Sequence, residues 1–104
     1  MNKGIVYKHR VKPIQCDRIM HAAHNVFNTT KKDITGSNRG GCLPYVRRIC
    51  CVVLRGYGLS YDAVGELLNM TRHNVMYHCK QHVDQIKQDM DYSASFDALV
   101  EEMS

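Results

Sequence analysis

No tryptophan occurs among the 104 residues, and only eight are aromatic, six Tyr and two Phe. No apolar run approaches the ~18 residues that cross a bilayer as a helix, so a membrane-spanning segment is not expected. The first twelve residues, MNKGIVYKHRVK, carry basic side chains but no apolar stretch, and so do not read as a secretory signal. The cysteines Cys16, Cys42, Cys50, Cys51 and Cys79 are odd in number and form no CxxC pair. That spacing argues against a disulfide framework or a Cys-based zinc site and fits a reducing compartment. No Gly-rich phosphate loop and no nucleophile–base pair is evident. The chain is therefore not expected to be an enzyme, to hold a cofactor or to take a small-molecule substrate, and its expected location is the cytoplasm.

What is present is an uneven distribution of charge. The net charge is a mild +4. Residues 1–55 hold eleven Lys and Arg against two acids, a balance of +9, whereas residues 56–104 hold three against eight, a balance of −5. A basic half beside an acidic one points to a face that binds a polyanion, with the remainder facing away. One hundred and four residues are one domain's worth of chain. The boundaries read as a flexible basic lead-in over 1–12 and a single helical domain over 13–104.

Hydrophobic periodicity predicts an all-α fold of about five helices. Pro13 opens a helix whose stripe is Ile19, Ala22, Ala23, Val26 and Phe27. Lys31 to Ile34 reads as a turn of helix with Ile34 entering the core, and residues 35–41 (TGSNRGG) as a loop. A strongly apolar helix starts at Pro44, buries Val46, Ile49, Cys50, Val53 and Leu54, and ends at Gly56 or Gly58. The β-branched run Ile49–Leu54 also admits a strand, but the flanking Pro44 and Gly56 favour helix. From Leu59 to Val83 two helices are joined by a short turn, with Ser60 and Thr71 as N-caps. The second carries Val75, Met76, Cys79, Val83 and Ile86 at helical spacing. Asp91–Ser95 reads as a polar break before a closing helix striped by Phe96, Leu99, Val100 and Met103.

In this order the segments resemble the C-terminal DNA-binding domain of the bacterial replication initiator DnaA, a Trp-repressor-like helix-turn-helix. Ile19–Phe27 followed by Asp33-Ile34 resembles that domain's first helix and the Asp-Leu ending it. Ser37-Asn38-Arg39 falls where the family has a basic loop, and Arg47-Arg48-Ile49-Cys50 is similar to its Arg-Gln-Ile-Ala. Ser60 with Val64-Gly65 resembles Ser-x-x-x-Ile-Gly. Arg72-His73-Asn74-Val75-Met76-Tyr77-His78 falls on the signature Asp-His-Thr-Thr-Val-Leu-His, of which only His73 and His78 are unchanged. The resemblance covers about residues 11–90. The initiator's ATPase domain has no counterpart, since GxxxxGK[ST] does not occur. The resemblance implies double-stranded DNA as partner, a role as replication accessory or transcription regulator, and association with the nucleoid.

The candidate base contacts are Arg72, His73, Asn74 and Val75, in the first turn of the second helix. Arg72 can pair bidentately with guanine, Asn74 with adenine, and Val75 can pack on a thymine methyl, each good bidentate pair being worth ~1–3 kcal/mol. Arg72 in place of the family's Asp inverts the preference from cytosine to guanine, so the usual initiator site is not the expected target. The candidate backbone or minor-groove contacts are Lys31, Lys32, Arg39, Arg47, Arg48, Ser60 and Thr71. Arg39 resembles the family residue that enters a narrow A·T-rich minor groove. His21 with His24, and His78 with His82, have zinc-compatible spacings, but no local carboxylate or cysteine completes either set and no metal site is expected. The acidic closing helix is the expected surface for a protein partner or self-association. The alternative function is a protein-interaction adaptor that keeps the fold without binding DNA.

Overall fold

The computed structural model describes residues 13–104, with side chains from Asp17 onward. The lead-in expected over residues 1–12 lies outside the described residues. Six helices follow one another, and no strand occurs among the described residues: α1 (Pro13–Phe27), α2 (Lys31–Thr35), α3 (Leu43–Gly56), α4 (Tyr61–Leu68), α5 (Arg72–Gln88) and α6 (Met90–Met103). The sixth is the short α2, the turn of helix foreseen from the sequence.

Helix α3 is the axis around which the others pack. Val46, Ile49, Cys50, Cys51 and Leu54 are essentially inaccessible to solvent, which requires neighbours on more than one side. Those neighbours are α5, α4, α1, α2 and α6. A β-branched run enclosed in this way has no edge to pair with, and its burial overrides its strand propensity. Burial also lifts the Cys50 thiol to about 12 and raises that of Cys51, so both act as small apolar packing groups.

Local chemistry sets the helix ends. Asn28 adopts a left-handed conformation (φ 57°) that closes α1, and Thr30 with Asp33 forms a reciprocal capping box that opens α2. Ser60 and Thr71 cap α4 and α5 as expected, accepting from Ala63 N and Asn74 N, each at 3.1 Å.

The sequence reading fails at the last junction. Helix α6 begins at Met90, so Asp91–Ser95 is helical and not a break. Asp89 ends α5 and at once caps α6, its carboxylate accepting from Tyr92 N at 3.0 Å. That bond holds the Asp89 carboxyl below its ordinary pKa. Tyr92 is fully buried in the turn so formed, edge-on to Tyr45 with ring centroids 5.6 Å apart and bonded through Oη to His82 Nδ1 at 2.7 Å. On α6, Leu99 and Met103 join the core, while Val100 stays 41% exposed.

Candidate nucleic-acid interface

Helices α4 and α5 enclose a turn of three residues, Asn69 to Thr71. Asn69 is left-handed (φ 58°), and Met70 N donates to Gly65 O at 2.9 Å. The turn passes so close to α4 that a Cβ on Gly65 would lie 2.5 Å from the Met70 carbonyl oxygen. Only glycine permits that approach, and it sets the angle at which α5 leaves the turn.

The turn is tied to the rest of the fold through the C-terminal end of α2. A five-residue helix leaves its last carbonyls without partners of its own. Arg47 supplies two, donating from Nε to Ile34 O and from Nη2 to Asp33 O, both at 2.8 Å. Asn69 supplies the third, donating from Nδ2 to Thr35 O at 3.0 Å. α2, α3 and the turn are thereby pinned together, and the loop that leaves α2 must run beside the start of α5. Within that loop Asn38 Oδ1 accepts from Gly40 N at 2.9 Å and Gly41 is left-handed (φ 58°), a compact bend that presents Arg39 to solvent.

Between this loop and α5 lies a cleft of about 750 Å³. Its polar lining includes Ser37, Arg39, Arg47, Asn69, Asn74 and His78. Its apolar lining includes Pro44, Leu68, Met70 and Tyr77. Two residues singled out from the sequence on separate elements, Arg39 and Asn74, therefore share one wall-to-wall space.

The remaining candidates fall elsewhere. Arg72 and His73 are exposed in the first turn of α5. Arg72 and Thr71 border a shallower depression shared with Asp62 and Glu66 of α4. Lys31 and Lys32 are exposed on α2, and Ser60 at the start of α4.

Three readings require correction. Val75 is 0% exposed and belongs to the core, so it cannot meet a thymine methyl. Its place in the stripe with Cys79, His82 and Ile86 turns it inward. Arg47 is 9% exposed, and its Nε and Nη2 clamp the carbonyls of α2, so it is not the free surface cation expected from the sequence. Arg48 lies along α5, donating from Nε to His78 Nδ1 at 3.1 Å and from Nη1 to Gln85 Oε1. It lies 5.8 Å from the Tyr77 ring centroid and also borders a groove with Asp84, Asp89 and Asp91.

Conversely, α5 exposes residues read as core or not read at all. Met76 and Val83 are 40% and 54% exposed, and Tyr77 is 56% exposed. Lys80 is exposed beside Met76, Tyr77 and His73 in a further depression. The signal was available in the sequence. The inward stripe is 75, 79, 82 and 86, of which Val75 is fully buried, and 76, 77, 80 and 83 fall off it and are exposed.

His78 and His82 are half-buried on α5. Burial, reinforced by the positive charges of Arg48 and Arg47, drives His78 down to about 4. The imidazole is therefore neutral near pH 7, and accepting from Arg48 at Nδ1 leaves its proton on Nε2. Burial likewise lowers His82. His21 and His24 are exposed on α1. Among the described residues no three His, Cys, Asp or Glu side chains converge in a way that would hold a metal ion, and no helix is long and apolar enough to cross a membrane.

No protein-family model matches the chain, and neither the curated proteins nor the solved structures yield a similar one.

Proposed function

We propose that this chain binds double-stranded DNA in a sequence-specific manner, through a helix-turn-helix like that of the DnaA C-terminal domain, as a replication accessory or transcription regulator in the bacterial nucleoid. The observation that carries the reading is the cleft between the Arg39 loop and the exposed N-terminal turn of α5. In B-form DNA a single sugar–phosphate strand separates each major groove from the adjacent minor groove. A helix N-terminus in the one and an arginine loop in the other need a space between them for that strand, and this cleft supplies it.

Arg72, His73 and Asn74 then face base edges, with Tyr77 and Lys80 extending the same exposed face. Arg39 addresses the minor groove, while Lys31, Lys32 and the capping hydroxyls of Ser60 and Thr71 face phosphates. The open N–H groups of the first turn of α5 add partial positive charge there.

A second reading has its own observation. Asp62 and Glu66 border the depression beside Arg72, and Met76, Val83 and Met90 are exposed, Met90 by 87%. Carboxylates beside the reading turn oppose a polyanion, and exposed apolar side chains suit a protein partner. This is the adaptor reading, in which α5, or the exposed side of α6 with Val100, meets another protein or a second copy.

Titration with random-sequence duplex at low and moderate salt separates the two. With Lys31, Lys32 and Arg39 as the cations nearest the backbone, DNA binding weakens with a log–log salt slope of roughly −2 to −3. Absence of binding at low salt would leave only the adaptor.

A further inference from the structure

We propose that the cleft between the Arg39 loop and α5 binds a single nucleotide unit, its phosphate held between Arg39 and Arg47 and its base laid against the Tyr77 ring. The ligand has two chemical sources: a free nucleoside monophosphate, or an unpaired nucleotide within a DNA strand. Only the second source rests on the DNA-binding reading above.

Four observations support the assignment. The cleft's volume, about 750 Å³, falls within the ~300–1,000 Å³ typical of small-ligand sites. Its lining combines a largely exposed aromatic ring, Tyr77, with an exposed amide, Asn74. A ring face for stacking and an amide for the edge are what a nucleobase needs, whichever strand or pool it comes from.

The third is the state of Arg47. It lines the cleft and is nine-tenths buried, yet both its bonded acceptors are neutral carbonyl oxygens, and its Nη1 makes no hydrogen bond among the described residues. The Asp33 carboxylate feels the Arg47 charge but accepts its hydrogen bond from Thr30 N, so no carboxylate hydrogen-bonds Arg47 among the described residues. A buried guanidinium normally has an anionic partner, because an unpaired charge away from water is costly. A phosphate in the cleft would supply that partner, with Arg39 as the second cation.

The fourth is the field inside. Arg48 donates to His78 Nδ1 and its guanidinium lies 5.8 Å from the Tyr77 ring centroid, so cations back this wall of the cleft, while burial and then the Arg48 and Arg47 charges keep His78 neutral.

An NMR shift titration of the ¹⁵N-labelled chain tests this with adenosine monophosphate, inorganic phosphate and adenosine as separate ligands. The expected result is saturable shifts confined to the residues that line the cleft, within 34–47, 68–70 and 74–78 and including Arg47, with the monophosphate binding at least tenfold more tightly than either part. Tyr77→Ala should weaken it roughly 5- to 150-fold, the loss that one base–aromatic stack represents. Arg39→Ala should weaken the monophosphate but not adenosine. Both side chains are exposed, so the fold is expected to survive, as unchanged shifts elsewhere would verify. No saturable shift at millimolar nucleotide, or phosphate alone binding as tightly, would overturn the proposal.

A duplex with one unpaired adenosine, compared with its fully paired parent, separates the sources. Preference for the unpaired site assigns the ligand to a strand, and equal affinity with monophosphate binding retained assigns it to the free nucleotide. Duplex binding without any nucleotide binding defeats this proposal and leaves the DNA reading standing; the reverse pattern defeats the DNA reading alone.

Discussion

Gly65→Ala puts the tight turn between α4 and α5 to a quantitative test. The added Cβ would lie 2.5 Å from the Met70 carbonyl oxygen, where ordinary contact begins at 3.4 Å, so the turn must retreat by about 0.9 Å. It is poorly placed to do so. Met70 N is bonded to Gly65 O at 2.9 Å, and Asn69 is bonded to Thr35 O at 3.0 Å. Backbone meeting backbone belongs at the upper end of overpacking costs, about 3 kcal/mol. The better helix propensity of Ala returns ~0.8–1.0 kcal/mol, leaving a net loss of about 2 kcal/mol. For a domain of this size each kcal/mol moves the melting point by ~4–8 °C, so Tm should fall by roughly 8–16 °C. Thermal unfolding followed by circular dichroism measures it. Gly56→Ala is the internal control, because its Cβ would meet nothing within 4 Å; that variant should melt at or slightly above wild type. If Gly65→Ala melts with Gly56→Ala, the close approach that orients α5 is refuted.

Other outcomes follow from the same contacts. Tyr92→Ala should cost about 3–5 kcal/mol in urea unfolding, the range for emptying a buried aromatic site, whereas Tyr92→Phe should lose only the His82 bond, about 1 kcal/mol. Arg47→Met should destabilise the domain and raise hydrogen exchange around α2, because the carbonyls of Asp33 and Ile34 lose their donor. His78 has a folded pKa of about 4, depressed from 6.5, so the folded state disfavours its proton. Its contribution to stability is therefore present above pH 6.5 and lost as the pH falls towards 4, and His78→Asn should flatten that part of the stability–pH curve. If the curve is unchanged, His78 is not buried as described.

The helices were largely legible in the sequence, because each stripe faces one core and two of the starts carry readable capping side chains, Ser60 and Thr71. Ile34 as a core residue, Ser60 and Thr71 as caps, and α3 as a buried helix all follow from periodicity and turn chemistry. Tyr92 was not legible. Asp91, Ser93 and Ser95 make its surroundings look like a loop, and only the double use of Asp89 as cap to two helices shows that the chain turns without unwinding. α5 misled for a different reason. Its polar content blurs the stripe, so Met76 and Val83 passed for core when Cys79 and His82 hold that side. Arg47 and Arg48 were equivalent in sequence, and their separation into a clamp on α2 and a strut along α5 depends on contacts from distant residues. The pairing of Arg39 with Asn74 across one cleft depends likewise on the long-range clamp at α2.

The most direct test of duplex reading by the first turn of α5 is a selection from randomised duplexes, run in parallel on the wild-type chain and Arg72→Ala. The account predicts an enriched motif containing a G that becomes indifferent in the variant, while neighbouring positions keep their preference. Failure to enrich any motif, or a uniform loss across all positions in Arg72→Ala, would contradict it.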